Sequence, residues 1–171
     1  EKLLFRQLFL DTAQLAKIVM DMPEVDDKRG SATGWSQGGG LTVACSALEP
    51  RISRAAPVYP FLSDYKRVWE MDYAKDAYLE LKEFFRHTDP QHKREEEAFT
   101  QLGYIDIQNL AHRIQAKVLW GIGLSDTICP PSSQFAAYNK IKSSKEMAIF
   151  PDFNHEELPG LADQIMQFVI A

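Results

Sequence analysis

The order of hydrophobic segments predicts an α/β fold in which helices flank a mostly parallel sheet. From residue 30 onward, strand and helix patterns alternate and are interrupted by one mainly helical segment. This alternation is typical of parallel sheets, because parallel strands need crossover connections. A chain of 171 residues with 45% apolar side chains is large enough to bury a core of its own. We therefore expect residues 1–171 to belong to one α/β domain.

The sequence predicts four secondary-structure elements in the first third of the chain. Apolar residues recur at helical spacing over 3–22, and Pro23 ends that helix. Residues 30–33 are placed as a strand from context alone, because they include no large β-branched side chain. A second helix is expected to end near Pro50, and an apolar run over 55–61 predicts a strand that leads into a loop.

The remaining chain predicts a helical insertion followed by regular elements. The insertion covers about 63–113 and is rich in charged and aromatic residues. The elements that follow are a buried strand at 117–122, a helix at 132–142, a strand at 146–150 and a helix at 158–169. Ser132 or Ser133 is the expected N-cap of the helix at 132–142.

Charge and cysteine content exclude several classes of protein. The net charge is −5 and no long basic run occurs, so nucleic acid is not an expected partner. No apolar run reaches the length of about 18 residues that a membrane span needs. The two cysteines, Cys45 and Cys129, form neither a disulfide framework nor a paired-cysteine metal motif. We expect a cytoplasmic protein with reduced thiols, no bound metal and no membrane association.

Residues 34–38, Gly-Trp-Ser-Gln-Gly, match the pattern G-x-S-x-G. This pattern is typical of a sharp turn between a strand and a helix, where the serine is strained and both flanking glycines avoid collisions. The turn would expose the hydroxyl of Ser36 as a nucleophile, and the N–H of Gln37 would face a developing oxyanion. The pentapeptide alone is equally compatible with a glycine-rich turn that carries a solvated serine.

His155 is the expected general base for Ser36. A serine hydroxyl is a weak nucleophile and needs such a base. His155 follows the strand at 146–150 and precedes the last helix, where a loop can present its ring. The other three histidines lie within or beside the helical insertion and are expected at the surface; they are His87, His92 and His112.

Asp126 is the expected acid that orients His155. It follows the strand at 117–122 and lies 29 residues before His155, which leaves room for one helix and one strand. The chain order serine, acid, histidine is the one expected for a G-x-S-x-G hydrolase. Asp152 is the rival acid, but it stands only three residues from His155 and is better interpreted as a solvated turn residue.

Several motifs together resemble one known family. They are Ser36-Gln37-Gly38-Gly39-Gly40, Gly123-x-x-Asp126-x-x-Cys129-Pro130-Pro131, His155-Glu156, the helix segment at 10–16 and the segment at 59–65. This set resembles the cephalosporin C deacetylase and acetyl xylan esterase family of α/β-hydrolases, nearly end to end. The resemblance implies Ser36, Asp126 and His155 as a catalytic triad and Gln37 as an oxyanion donor. It also implies deacetylation of small acetylated sugars, xylo-oligosaccharides or cephalosporin-type esters, no cofactor, and an intracellular homo-oligomer, a hexamer.

The chain departs from this family in several respects. The family places several strands before the nucleophile, whereas only 35 residues precede Ser36. A second oxyanion donor and an Arg-Gly-Gln segment are not found in the sequence. We therefore expect an incomplete α/β-hydrolase fold, namely the C-terminal part of one domain, with weak or no activity in isolation.

Two alternatives stay open at this stage. Gly-Trp-Ser-x-Gly-Gly also occurs in serine peptidases of the prolyl oligopeptidase type. A non-catalytic assembly fragment is the other alternative, with the aromatic insertion at 63–113 as a subunit interface.

Overall fold

Four parallel strands form a single sheet. The computed structural model describes residues 3–71 and 73–171. The strands are β1 (Ser31–Trp35), β2 (Arg54–Val58), β3 (Lys117–Gly123) and β4 (Lys145–Phe150), in the order β1-β2-β3-β4. Each neighbouring pair is parallel, so the predicted fold class is confirmed. Because all strands run in one direction, their carboxyl ends and the loops that follow lie at one edge of the sheet.

Seven α-helices accompany the sheet in the described residues. They are α1 (Leu4–Met20), α2 (Gln37–Leu48), α3 (Tyr65–Glu70), α4 (Leu79–His87), α5 (Glu95–Leu102), α6 (Pro131–Lys140) and α7 (Leu161–Ile170). Successive strand residues point to opposite faces, which separates the core into two clusters. Val118 belongs to the larger cluster with α2, whereas Leu119 joins the smaller cluster under α7.

The segment between β2 and β3 folds as predicted into helices and loops. It contains α3, α4 and α5, and its aromatic side chains pack on one another. The ring of Phe85 lies 4.5 Å from Trp69 and 5.9 Å from Phe99 between ring centroids. These contacts bury Phe85 almost completely. The boundaries of the insertion as a unit stay a prediction.

The predicted cap of α6 is wrong. The helix begins at Pro131, and Pro130 occupies the N-cap position. Proline suits the first helical position because its fixed φ is already helical and the missing N–H would be unpaired there. Ser133 instead donates its hydroxyl to the carbonyl of Pro130 at 2.8 Å.

The first strand has one neighbour within the described part of the chain. β1 pairs only with β2, and Trp35 at its end is 42% exposed. Among residues 3–71 and 73–171, no helix has both the length and the hydropathy required to cross a bilayer.

Candidate active site

Ser36 occupies a strained turn between β1 and α2. Its backbone has φ 53° and ψ −116°, in the region that favours glycine. Two backbone hydrogen bonds hold this conformation. The N–H of Ser36 donates to the carbonyl of Val58 at 3.0 Å, and its carbonyl accepts from the N–H of Phe61 at 3.0 Å. The end of β2 and the loop after it therefore fix the turn.

The glycines around Ser36 have different roles. A Cβ on Gly34 would lie 2.5 Å from the carbonyl carbon and oxygen of Gly38. A Cβ on Gly39 would lie 2.7 Å from the carbonyl oxygen of Val58. Gly38, by contrast, has open space around its Cβ position. The expectation of a steric need for glycine therefore applies to Gly34 and is wrong for Gly38.

The structure brings together the three side chains predicted to act on one another. Nε2 of His155 lies 2.9 Å from Oγ of Ser36, and Nδ1 lies 2.9 Å from Oδ2 of Asp126. An ionised carboxylate only accepts hydrogen bonds, so Nδ1 carries the proton of the neutral ring. Nε2 then accepts from the hydroxyl of Ser36, which is the arrangement required of a general base.

Asp126 is buried, and both oxygens of its carboxylate accept hydrogen bonds. Its side chain has no exposed area, although that of His155 is 16% exposed. Oδ1 accepts from the N–H of Ile128 at 2.9 Å and of Cys129 at 2.8 Å. Oδ2 is thereby left for His155. The loop after β3 thus presents one oxygen of this carboxylate to the ring in a fixed direction.

Asn154 connects the two loops that carry the acid and the base. Its Oδ1 accepts from the N–H of Thr127 at 2.9 Å and from the N–H of His155 at 2.8 Å. Gly123 permits this approach, because a Cβ there would lie 2.7 Å from the carbonyl oxygen of Asn154. Sequence reasoning missed Asn154, and its position directly before the histidine was the only signal for it.

Tyr59 supports the ring of His155 from the end of β2. The two ring centroids are 4.4 Å apart, with an interplanar angle of 49°. Burial and the nearby charge of Asp126 raise the pKa of the Tyr59 hydroxyl, so this side chain stays neutral. Tyr59 therefore packs against the imidazole that bonds to both Asp126 and Ser36.

Cys129 lies beside the serine and was singled out only as part of a motif. Its side chain is fully buried. Burial, together with the charge of Asp126, raises the pKa of the thiol well above its usual range, while hydrogen bonding to Ser36 opposes that shift. The thiol is therefore neutral, and Ser36 rather than Cys129 is equipped to act as the nucleophile.

The rejected candidates lie elsewhere. Asp152 is exposed, and the hydrogen bond from Nδ1 of His155 goes to Asp126. His87 pairs with Glu83 at 2.9 Å on the surface of α4. The two remaining histidines, His92 and His112, are also outside the site: His92 pairs with Glu95, and His112 is exposed in a short 3₁₀ turn.

A hollow of about 330 Å³ lies beside α7, lined in part by Trp35 and Glu156, the sequence neighbours of Ser36 and His155. Trp35 and Tyr59 contribute aromatic surface to it, and Leu158 and Leu161 contribute apolar surface. Ala162 and two exposed carboxylates, Glu156 and Glu157, complete the lining. The lining includes none of the three triad side chains.

The whole described chain has close structural relatives. Acetyl xylan esterase 1 from Thermoanaerobacterium sp. superposes with a TM-score of 0.96 at 58% identity, over 98% of this chain and 53% of that one. An acetyl xylan esterase from Paenibacillus sp. R4 gives a TM-score of 0.93 at 40% identity, over 97% of this chain and 52% of that one. This chain therefore spans about half the length of these relatives.

More distant relatives are found by sequence and by structure. An acetyl esterase of Xylanibacter ruminicola is 26% identical over 88% of this chain and 32% of its own length. Dipeptidyl peptidase 4 of Porphyromonas gingivalis gives a TM-score of 0.74 at 20% identity, over 98% of this chain and 23% of that one, which shows a shared α/β-hydrolase fold alone.

The family model for acetyl xylan esterase matches residues 1–171. The match covers the strained serine turn, the acid loop and the histidine loop. Together with the 58% identity to a solved acetyl xylan esterase, this match establishes the family of the sequence. The chain belongs to the acetyl xylan esterase family.

Proposed function

We propose that this chain carries the catalytic triad of a serine esterase that removes acetyl groups from acetylated xylan fragments. The observation that carries the proposal is the continuous hydrogen-bonded series Ser36–His155–Asp126, with both links at 2.9 Å. Family membership supports an acetyl ester as the substrate, since the similar solved proteins are named acetyl xylan esterases.

The proposed reaction proceeds through an acyl-enzyme. Oγ of Ser36 attacks the acetyl carbonyl carbon while Nε2 of His155 takes the hydroxyl proton. The same ring then returns that proton to the sugar oxygen as the C–O bond of the ester breaks. Water, activated by His155, attacks the acetyl group on Ser36 and releases acetate. Asp126 keeps the proton on Nδ1 and stabilises the ring when it becomes charged.

Gln37 is the proposed oxyanion donor. It is the first residue of α2, and the first N–H groups of a helix have no acceptor inside the helix. The positive end of the helix dipole reinforces this N–H where negative charge develops. Because this chain spans about half the length of its solved relatives, we assign the second donor to a segment outside residues 1–171 and expect weak or no activity from this chain alone. Loss of one such donor typically reduces the rate about 10²–10³-fold.

Finer features of the proposal concern substrates and assembly. Cephalosporin-type acetyl esters have the same reacting group as acetylated xylo-oligosaccharides and are further proposed substrates.

Apolar residues on the outer face of α1 support assembly into a homo-oligomer, a hexamer by resemblance; Leu15 is 62% and Ile18 48% exposed. A cytoplasmic location is also proposed, and it is supported by two buried cysteines that form no disulfide with each other.

Acetate release by the purified full-length protein tests the proposal. Acetylated xylo-oligosaccharides and 4-nitrophenyl acetate are the substrates, and Ser36→Ala is the inactive variant. Retained activity in Ser36→Ala would remove this serine from the mechanism. A panel of peptide substrates tests the peptidase alternative, which predicts cleavage of peptides in preference to acetyl esters.

A further inference from the structure

Three metal-ligating side chains of different types converge at the site. One ligand atom from each of Asp126, Cys129 and His155 lies within 4.8 Å of the others. Carboxylate oxygen, thiolate sulfur and imidazole nitrogen are the three ligand types that Zn²⁺ takes in proteins. The reaction proposed above needs the carboxylate and the imidazole, but it gives no role to the thiol of Cys129.

The cluster is close to the dimensions of a zinc site. Bonds of about 2.0 Å to nitrogen or oxygen and about 2.3 Å to sulfur place the ligand atoms of a tetrahedral site roughly 3.3–3.7 Å apart. The ligand atoms here lie within 4.8 Å of one another, so even the widest separation exceeds this range by no more than about 1 Å. Asp126 and Cys129 share one loop and are already linked by a hydrogen bond of 2.8 Å. His155 is held against that loop through Asn154.

We propose that Asp126, Cys129 and His155 bind a single Zn²⁺ ion and that this ion inhibits the enzyme. As the carboxylate, the sulfur and one ring nitrogen bind, hydrated Zn²⁺ releases to solvent all but at most one of its water molecules and becomes four-coordinate. The thiol proton leaves to solvent as the Zn–S bond forms. A water molecule, or Oγ of Ser36, takes the fourth position.

Inhibition follows whichever ring nitrogen coordinates the ion. If Nε2 binds Zn²⁺, its lone pair no longer accepts the proton of Ser36. If Nδ1 binds, the proton of the neutral ring must lie on Nε2, which then donates instead of accepting. In both cases the general base is lost. The inhibition rests on the proposed esterase function, whereas the coordination does not.

Two measurements on the full-length protein test the proposal separately. Calorimetric titration with ZnCl₂ gives the affinity and stoichiometry, and titration with Co²⁺ reports thiolate ligation through its sulfur-to-cobalt charge-transfer absorption. The variants are Cys129→Ser, which keeps the size of the side chain, and Cys129→Ala. Cys45→Ala is the matched control, because Cys45 is also a buried free thiol but points to the carbonyl of Thr12 on α1.

We expect one Zn²⁺ per chain and a thiolate band with Co²⁺ in the native protein and in Cys45→Ala. Loss of a residue that only orients a metal ligand through a hydrogen bond costs a metal site about 10–100-fold in affinity, so loss of this direct ligand should cost at least about 100-fold. The inhibition constant of Zn²⁺ for 4-nitrophenyl acetate hydrolysis should rise by the same factor. Equal Zn²⁺ affinity in Cys129→Ser and native protein, or a cobalt spectrum without the thiolate band, would overturn the proposal. Binding at Cys129 in a protein without esterase activity would leave the coordination intact and remove the proposed function.

Discussion

Replacement of Asp126 by asparagine should reverse the proton positions on His155. The oxygen at the Oδ1 position must accept from the N–H groups of Ile128 and Cys129, so the amide oxygen takes that place. The amide NH₂ is then directed at Nδ1 of His155. Because an NH₂ group only donates, Nδ1 must become the acceptor and Nε2 must carry the proton. Nε2 can then no longer remove the proton of Ser36.

The expected loss is large in rate and small in stability. A triad ring held in the wrong tautomer typically reduces kcat by about 10⁴-fold. At about 1.36 kcal/mol for each factor of ten, this corresponds to roughly 5.4 kcal/mol in the activation free energy. The fold is retained because both backbone N–H groups keep an acceptor. Asp126→Ala, in contrast, would leave them unpaired, at about 1–3 kcal/mol of unfolding free energy for each.

Initial rates with saturating 4-nitrophenyl acetate measure kcat, and thermal unfolding monitors the fold. Asp152→Asn is the matched control, since Asp152 is an exposed carboxylate three residues from His155. Asp152→Asn should change kcat by less than about twofold, which is close to the error of the assay. A folded Asp126→Asn variant within tenfold of the native rate would refute this reasoning, as would an equal loss in Asp152→Asn.

Three further predictions follow from the site. Ser36→Ala should abolish acetyl ester hydrolysis while thermal unfolding stays near that of the native protein; residual turnover above background would contradict the nucleophile assignment. Gly34→Ala should lower the free energy of unfolding in urea by about 1–3 kcal/mol, because its Cβ would lie 2.5 Å from backbone atoms of Gly38. Gly38→Ala, whose Cβ has open space, is its control and should cost much less; similar losses in both would show that sterics do not explain the turn. Asn154→Ala should reduce kcat about 10–100-fold by releasing the histidine loop, as loss of comparable orienting partners does elsewhere. Asn154→Asp retains the accepting oxygen and should recover most of that rate, and failure to do so would argue against an accepting role.

The sequence predicted the sheet and most helix positions for identifiable reasons. Apolar runs in the sequence predicted β3 and β4, and the helical spacing of apolar residues predicted α1. β1 has a poor strand sequence, and only the serine motif after it indicated where it lies. The N-cap of α6 was mispredicted because serine is a common cap, whereas Pro131 already supplies a helical φ at the first position.

The convergence of the three principal residues of the candidate site was predictable, because their order along the chain is characteristic. Ser36, Asp126 and His155 each follow a predicted strand, and parallel strands bring such positions to one edge of the sheet. The supporting residues were not predictable in this way. Asn154 acts through a side-chain oxygen that reaches a different loop, and no sequence pattern records that contact.

The sequence by itself determined the chemistry available here: a serine in a glycine-bounded turn, a histidine and an acid in the expected order. Local patterns suffice for this, because turn geometry and strand ends depend on near neighbours. Only the tertiary structure decided which atoms meet. It brought Oγ of Ser36 to 2.9 Å from a ring 119 residues away. It also buried the Cys129 thiol beside that ring. Close backbone contacts in the folded protein require a glycine at Gly34 but not at Gly38. These outcomes depend on close packing between loops far apart in the chain, where a shift of about 1 Å separates a hydrogen bond from a gap.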